Sequence, residues 1–250
     1  MSAIGPKLTR KQLLQAAGGL VALSAVHASA AAERAQVPTR ILASVEVPDT
    51  PLVNGAIALA RDACEPYLFN HCMRSWLFAT KMAQDKGIDH DAELLAVAMV
   101  LHDIGLAEKF VGPNRFEVDS ANAARSYVQN SASTFTPQRI QLLWDTVALN
   151  TSRSIAMHKE AEVALCNAGV ALDYGGVGKD KFPAETMVAV LKEFPRVAMK
   201  LNLKNCLCHL AQTKPQTTYD NFARDFGTAF VAGYKVPSAV DFLMNAPYDE

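Results

Sequence analysis

The chain has 250 residues, half of them apolar, with 24 Lys and Arg against 25 Asp and Glu. That is enough apolar material for one sizeable core and too little for two comfortable domains. The near-zero charge balance excludes the broad basic or acidic field by which a nucleic acid or an anionic membrane is held, so a small-molecule substrate is the expected partner.

Taken in chain order, Lys7, Arg10 and Lys11 precede an uncharged stretch, residues 12–30, that contains a run of apolar and small residues from 16 to 23. This is the layout of an export signal, and Ala28-Ser29-Ala30 fits a small-x-small cleavage site. The segment Thr9-Arg10-Lys11-Gln12-Leu13-Leu14 resembles the twin-arginine export consensus, with Lys11 where the second arginine would stand. The apolar run is well short of the roughly 20 residues that a spanning helix needs, so an exported, periplasmic protein with no stable membrane insertion after cleavage is expected. Removing residues 1–30 takes away three positive charges, leaving 21 basic against 25 acidic residues.

Residues 31–50, with Pro38 and Pro48, read as an extended lead-in, residues 51–235 as the folded domain and residues 236–250 as a tail. Leu52, Ile57, Leu59 and Ala60 begin the helical pattern. Asn70 can cap a second helix carrying Met73, Trp76, Leu77 and Ala83, which Gly87 can end. A third starts near Asp91 and is apolar almost all round from Leu94 to Leu101, so it belongs at the centre of the fold, with Gly105 as its stop signal. Further helices are predicted at about 117–132, 137–149, 160–172, 184–194, 196–212 and 218–231. No run alternates convincingly as a strand.

Five cysteines, Cys64, Cys72, Cys166, Cys206 and Cys208, leave at least one unpaired. In Cys206-Leu207-Cys208-His209 the two thiols stand two apart and do not share a helix face, so buried free thiols are expected rather than a metal site.

Leu101-His102-Asp103-Ile104-Gly105 sets an imidazole and a carboxylate side by side at the end of the most apolar helix, where either is costly to bury unpaired. A shared cation removes that cost, and so would a buried His-Asp hydrogen bond. His71 lies 31 residues upstream, near the start of another helix that antiparallel packing could bring close. Two imidazoles with one or two carboxylates form a mixed N/O site suited to Mn, Fe, Co, Ni or Zn rather than to Ca or Mg. Such a ligand set leaves positions open for water, as a catalytic site does.

The spacing of His71, His102-Asp103 and a distant Asp resembles the HD superfamily of metal-dependent phosphohydrolases and related enzymes. Within it, Phe69-Asn70-His71-Cys72-Met73-Arg74-Ser75, Leu101-His102-Asp103-Ile104-Gly105 and the segment from Glu162 through Gly169 to Asp173 are similar to the cyanamide hydratase-like branch. The resemblance runs from about residue 50 to about 230. It implies an all-α, single-domain HD helical bundle binding one divalent transition-metal ion through His71, His102, Asp103 and, as fourth ligand, Asp173, with Asp145 the competitor for that last place. Asp103 is the residue expected to accept a proton in catalysis. Arg74, three residues after His71 on the same helix face, either holds an anionic substrate group or orients a ligand carboxylate, unless it forms an ordinary ion pair.

Where that branch often reads Leu-His-Thr-Ser, this chain reads Leu149-Asn150-Thr151-Ser152, which points to one metal ion rather than two. The expected reaction is addition of metal-activated water to a small molecule. The alternatives are hydrolysis of a phosphoester and a non-catalytic metal- or ligand-binding role, and the oligomeric state is open.

Overall fold

A ten-residue helix with no polar face has to be enclosed on every side. In the computed structural model of the protein, which describes residues 37–248, this is the environment of Ala92–Leu101, where every residue from Leu94 to Leu101 is fully buried. The export layout read in residues 1–30 lies outside the described residues. From Thr39 onward the chain forms one unit containing eleven α-helices and one short hairpin among the described residues, an all-α fold as expected.

The hairpin was not expected. Strands β1 (Thr39–Leu42) and β2 (Val45–Pro48) pair antiparallel, with Arg40 opposite Val47 and Leu42 opposite Val45. Val45 and Val47 point into the core while Glu46 faces out. Four residues are too short a run for that alternation to register. The turn, Ala43-Ser44, takes positive φ at both positions without the glycine or asparagine that advertises such a turn.

The helices follow in order as α1 (Pro51–Ala63), α2 (Pro66–Lys86), α3 (Ala92–Leu101), α4 (Phe116–Asn130), α5 (Pro137–Ala148), α6 (Arg153–Ala156), α7 (Ala161–Gly175), α8 (Ala184–Glu193), α9 (Met199–Thr213), α10 (Ala223–Phe230) and α11 (Ala239–Met244). The predicted α3 start is found: the Asp91 side chain accepts from the Leu94 N–H at 3.1 Å. The predicted cap at Asn70 is not, because α2 begins a turn earlier at Pro66, whose missing N–H costs nothing in a first turn. Asn70 lies inside α2 and donates to the Pro195 carbonyl at 2.8 Å. Helix α2 ends at left-handed Gly87, as predicted. Helix α9 starts three residues late because Val197 and Ala198 both adopt positive φ. In the expected tail, Ala239–Met244 forms a short helix of its own.

Two close approaches fix the frame of the site. Helix α7 crosses α2 at Gly169, where an added Cβ would run into the Ser75 carbonyl oxygen and lie 2.9 Å from the Ala79 Cβ. One turn further along α7, Asp173 is thereby set against the face of α2 that carries His71 and Arg74. Just past the C-terminal end of α3, Gly105 lies so near α4 that its Cβ would be 2.5 Å from the Phe116 carbonyl oxygen, and its N–H donates to Ser120 Oγ at 2.8 Å.

Gly169→Ala should therefore lower stability by about 1–3 kcal/mol, since backbone has to give way to the new methyl group. Equilibrium unfolding in urea measures it, and an unchanged midpoint would show that the crossing is looser than described.

Candidate metal centre

At the start of α2 and the end of α3, three buried residues bring ligand atoms together: His71, His102 and Asp103 each offer one within 4.8 Å of the others. Asp103 Oδ2 lies 3.5 Å from His71 Nε2 and 3.3 Å from His102 Nε2. The imidazole rings are 5.1 Å apart and inclined at 64°, so they converge rather than stack.

Each imidazole is held from behind through Nδ1. His102 Nδ1 is 2.7 Å from the Met99 carbonyl oxygen, one turn back in α3, and a carbonyl can only accept, so the proton is on Nδ1 in the neutral ring. His71 Nδ1 is 2.6 Å from Asp173 Oδ2, which makes Nδ1 the donor there also. Both Nε2 atoms are consequently left facing Asp103. In the neutral ring His102 Nε2 is a buried lone pair with no hydrogen-bond donor among the described residues. Two inward nitrogens of fixed tautomer and a carboxylate oxygen fit a divalent transition metal, and each histidine's outer N–H is held in the way metal-ligating histidines are.

Asp173 is not part of this converging group. Its carboxylate lies behind His71 and is fully engaged: Arg74 donates Nε to Oδ1 at 2.7 Å and Nη2 to Oδ2 at 2.9 Å, and Arg196 donates to Oδ1 at 3.2 Å. In this geometry Asp173 holds the outer nitrogen of His71, where the family resemblance implied a fourth metal ligand. Spacing along the chain separates those two roles poorly, because both put a carboxylate next to the same histidine. Asp145, the competitor, is on α5 with Lys159 at 2.9 Å and is not in the group.

Arg74 is fully buried and all five of its N–H bonds are accounted for: three go to Asp173 and Met199 Sδ, and Nη1 serves the carbonyls of Phe194 and Pro195 at 3.0 and 3.2 Å. No donor is left for a substrate, and the carboxylate it holds, Asp173, lies outside the converging group, so Arg74 forms the helix-helix ion pair that was the ordinary alternative to both functional roles. The loop it grips contains the left-handed pair Val197-Ala198, a conformation costing about 1–2 kcal/mol per residue without glycine. Arg196, in that loop, was missed from sequence, since nothing near it in the chain signals a site.

The electrostatics follow from this arrangement. Burial alone would raise Asp173, but hydrogen bonds and charge from His71 and Arg74 outweigh it and hold the carboxyl well below its usual range. Burial likewise opposes ionisation of Asp103, yet the neighbouring imidazoles hold it low. His102 is raised well above 6.5 in the metal-free protein: burial works against its charged form, and Asp103 with Cys72 beside it wins. All five cysteines are free, and burial pushes the Cys166 thiol up to about 12, so it supplies no thiolate.

A cavity of about 180 Å³ opens onto His71 and Asp103, with Leu106, Val170, Leu203 and Phe222 among its apolar walls. Among the described residues Arg153 is the one cationic side chain lining it, and Asn150, Thr151, Asn167 and Tyr174 add further polar groups. Glu117, fully buried and also missed from sequence, secures the rim: it takes Arg115 through both carboxylate oxygens, Thr151 Oγ1 at 2.7 Å and Asn221 Nδ2 at 3.1 Å.

Two outcomes are expected. Asp173→Asn should cost about 3–5 kcal/mol of stability, because it strands the buried Arg74 charge, and lower metal affinity about 10–100-fold, both measurable by unfolding and by metal titration. In the chelator-treated protein, the stability contributed by charged His102 is fully present below about pH 6.5 and lost as pH rises through its higher folded value. Thermal unfolding should thus show the metal-free melting temperature falling above about pH 6.5 and added Zn or Mn restoring more of it at higher pH, because ligating imidazole must be deprotonated.

No curated protein matches this chain. The family described as HD domain matches residues 68–164, the segment that contributes His71, His102 and Asp103, and this supports the HD superfamily.

Proposed function

We propose that the protein is a metal-dependent hydrolase or hydratase of the HD type, adding water to a small uncharged molecule, in the manner of the cyanamide hydratase-like branch. One observation carries this reading: a small, mostly apolar cavity opens onto His71 and Asp103 of the group, with Arg153 the single cationic side chain in its wall among the described residues. A phosphoester substrate would call for several cations close to the ligands. Of the four cations near the motifs in the sequence, Arg74 is fully engaged behind His71, Arg115 is paired with Glu117 and Asp220, Lys109 is on the surface near Asp62, and Lys179 is exposed.

His71 and His102 through Nε2, with Asp103 through Oδ2, would hold one divalent ion of Zn, Mn, Fe, Co or Ni. Such an ion supplies Lewis-acid polarisation and hydroxide near neutral pH. The chain itself does the rest. Met99 and Asp173 keep both imidazoles in the tautomer that presents Nε2. The walls, Leu106, Val170, Leu203 and Phe222, limit bulk water around the reacting group. Asp103, kept ionised by its neighbours, is the group placed to take up a proton.

Phosphoester hydrolysis is the second reading, and it has one observation in its favour. A wider cleft shares Thr151, Arg153 and Phe222 with the cavity and adds Arg115, His158 and Arg224, a rim that could hold an anionic group at a distance from the ligands.

Purified protein should contain about one divalent ion per chain by elemental analysis. It should hydrate cyanamide in preference to hydrolysing a phosphomonoester when supplied with Mn, Fe, Co, Ni or Zn, and lose that activity on His102→Ala. Phosphatase activity alone would favour the second reading. Bound metal with no turnover of either substrate would favour a non-catalytic role, and no metal at all would remove the enzymatic reading.

The same proposal includes export, for which the charge and apolar layout of residues 1–30 is the support. A mature chain beginning at Ala31 should be recovered from the periplasmic fraction by N-terminal sequencing, and a chain retaining Met1 would contradict it.

A further inference from the structure

Helix α11 (Ala239–Met244) carries apolar surface that no described residue covers. All six of its residues are exposed, with Val240, Phe242, Leu243 and Met244 between 66 and 74 % accessible. A helix this short has too few internal hydrogen bonds to hold itself together in water, and Val240, Leu243 and Met244, at i, i+3 and i+4, form the kind of stripe by which a helix packs on a partner. Its root, by contrast, is fixed. The Tyr234 ring packs over Gly227, where an added Cβ would lie 2.6 Å from it, and Tyr234 Oη donates at 2.6 Å to Thr218 Oγ1, whose own proton goes to the Pro215 carbonyl.

A groove of about 310 Å³ between α9 and α10 offers the complement of this helix. Leu203, Phe226 and Phe230 line it with apolar surface, and Arg196, Lys200 and Lys204 line it with positive charge. Arg196 is partly spent on Asp173, but among the described residues no carboxylate pairs with Lys200 or Lys204, and Lys204 Nζ lies 5.2 Å from the Phe230 ring centroid instead. Residues 236–250 carry Asp241, Asp249 and Glu250 and no Lys or Arg. That balance suits the cationic groove and disfavours an anionic lipid surface, which recruits segments rich in Lys and Arg. The helix does not fill the groove of its own chain, where Phe230 stays 59 % exposed. Only residues 235–238 separate the Tyr234 anchor from α11, and they carry it clear.

We propose that residues 236–250 are an arm exchanged between two copies of this chain, with α11 of each copy seated in the α9–α10 groove of the other. The apolar stripe meets Leu203, Phe226 and Phe230, and the acids of the arm meet Lys200 and Lys204. Because the exchange is reciprocal, it closes at a two-fold dimer and leaves no open end. Tyr174 and Leu203 line both this groove and the cavity that opens onto His71. The arm of one copy therefore backs the cavity wall of the other, beside the Arg196 that is bonded to Asp173.

Sedimentation equilibrium of the purified protein at about 50 μM, above the Kd of a micromolar interface, should give about twice the mass of one chain. Leu243→Ser and, separately, Lys200→Glu with Lys204→Glu should each raise the dimer dissociation constant at least about tenfold, with folding checked by circular dichroism. Asp241→Lys should weaken the dimer too, yet mixing it with the Lys200→Glu, Lys204→Glu protein should restore dimers, because each groove then meets a residue 241 of opposite charge. A benzophenone amino acid in place of Phe242, in a mixture of isotopically light and heavy chains, should crosslink to α9 or α10 of the chain with the other label. A monomeric wild type, a dimer indifferent to both sets of substitutions, or crosslinks that never join the two labels would overturn the proposal. So would a monomer that sediments with phosphatidylcholine–phosphatidylserine vesicles and is released by Leu243→Ser, since the partner of the arm is then a membrane. These readouts involve neither metal nor turnover, so their failure is separate from failure of the proposed reaction.

Discussion

The rest of the site depends on where one buried carboxylate is held. Asp173 carries a negative charge into the interior, and that is tolerated because Arg74 meets it with two parallel N–H donors and His71 with a third, with Arg196 adding a longer contact to Oδ1. The same three contacts do structural and chemical work together. They tie α7 to α2, keep the strained loop before α9 in place through the remaining Arg74 donors, and turn the His71 ring so that Nε2 faces Asp103. The small residue at Gly169 is what lets the helices come close enough for this to happen. Losing any one of these elements loosens the others.

The two histidines consequently differ in character, although sequence presents them as equivalents. His102 is backed by a neutral carbonyl of its own helix, and its position is fixed as soon as α3 forms. His71 is backed by a carboxylate from a helix about a hundred residues further on, so its orientation depends on the completed tertiary fold. A carboxylate behind an imidazole makes it a stronger base and ligand than a carbonyl does. The centre therefore has one locally determined arm and one globally determined arm, with Asp103 between them.

Much of this was legible from the chain alone. The all-round apolar pattern of α3 announced a central helix, Asp91 and Gly87 announced its borders with the loop before it, and the cost of burying His102 beside Asp103 announced a partner for both. What escaped has a common physical origin. The hairpin is too short to display its period, and its turn lacks the residues that mark one. Asn70 looks like a cap by type but falls within a helix that Pro66 starts earlier. Asp173, Arg196 and Glu117 take their roles from contacts across long stretches of sequence, and whether a carboxylate binds a metal or the back of a histidine is decided by a few ångströms that spacing along the chain does not encode.

That distinction is also the most direct point of attack. Anomalous scattering from a crystal soaked with Zn or Mn would locate the ion and identify its protein ligands. The arrangement described predicts one ion bonded to His71 Nε2, His102 Nε2 and Asp103 at about 2.0–2.2 Å, with Asp173 still on His71 Nδ1 and Arg74. An Asp173 oxygen at bonding distance from the ion, or an ion bound elsewhere with His102 Nε2 left bare, would contradict it.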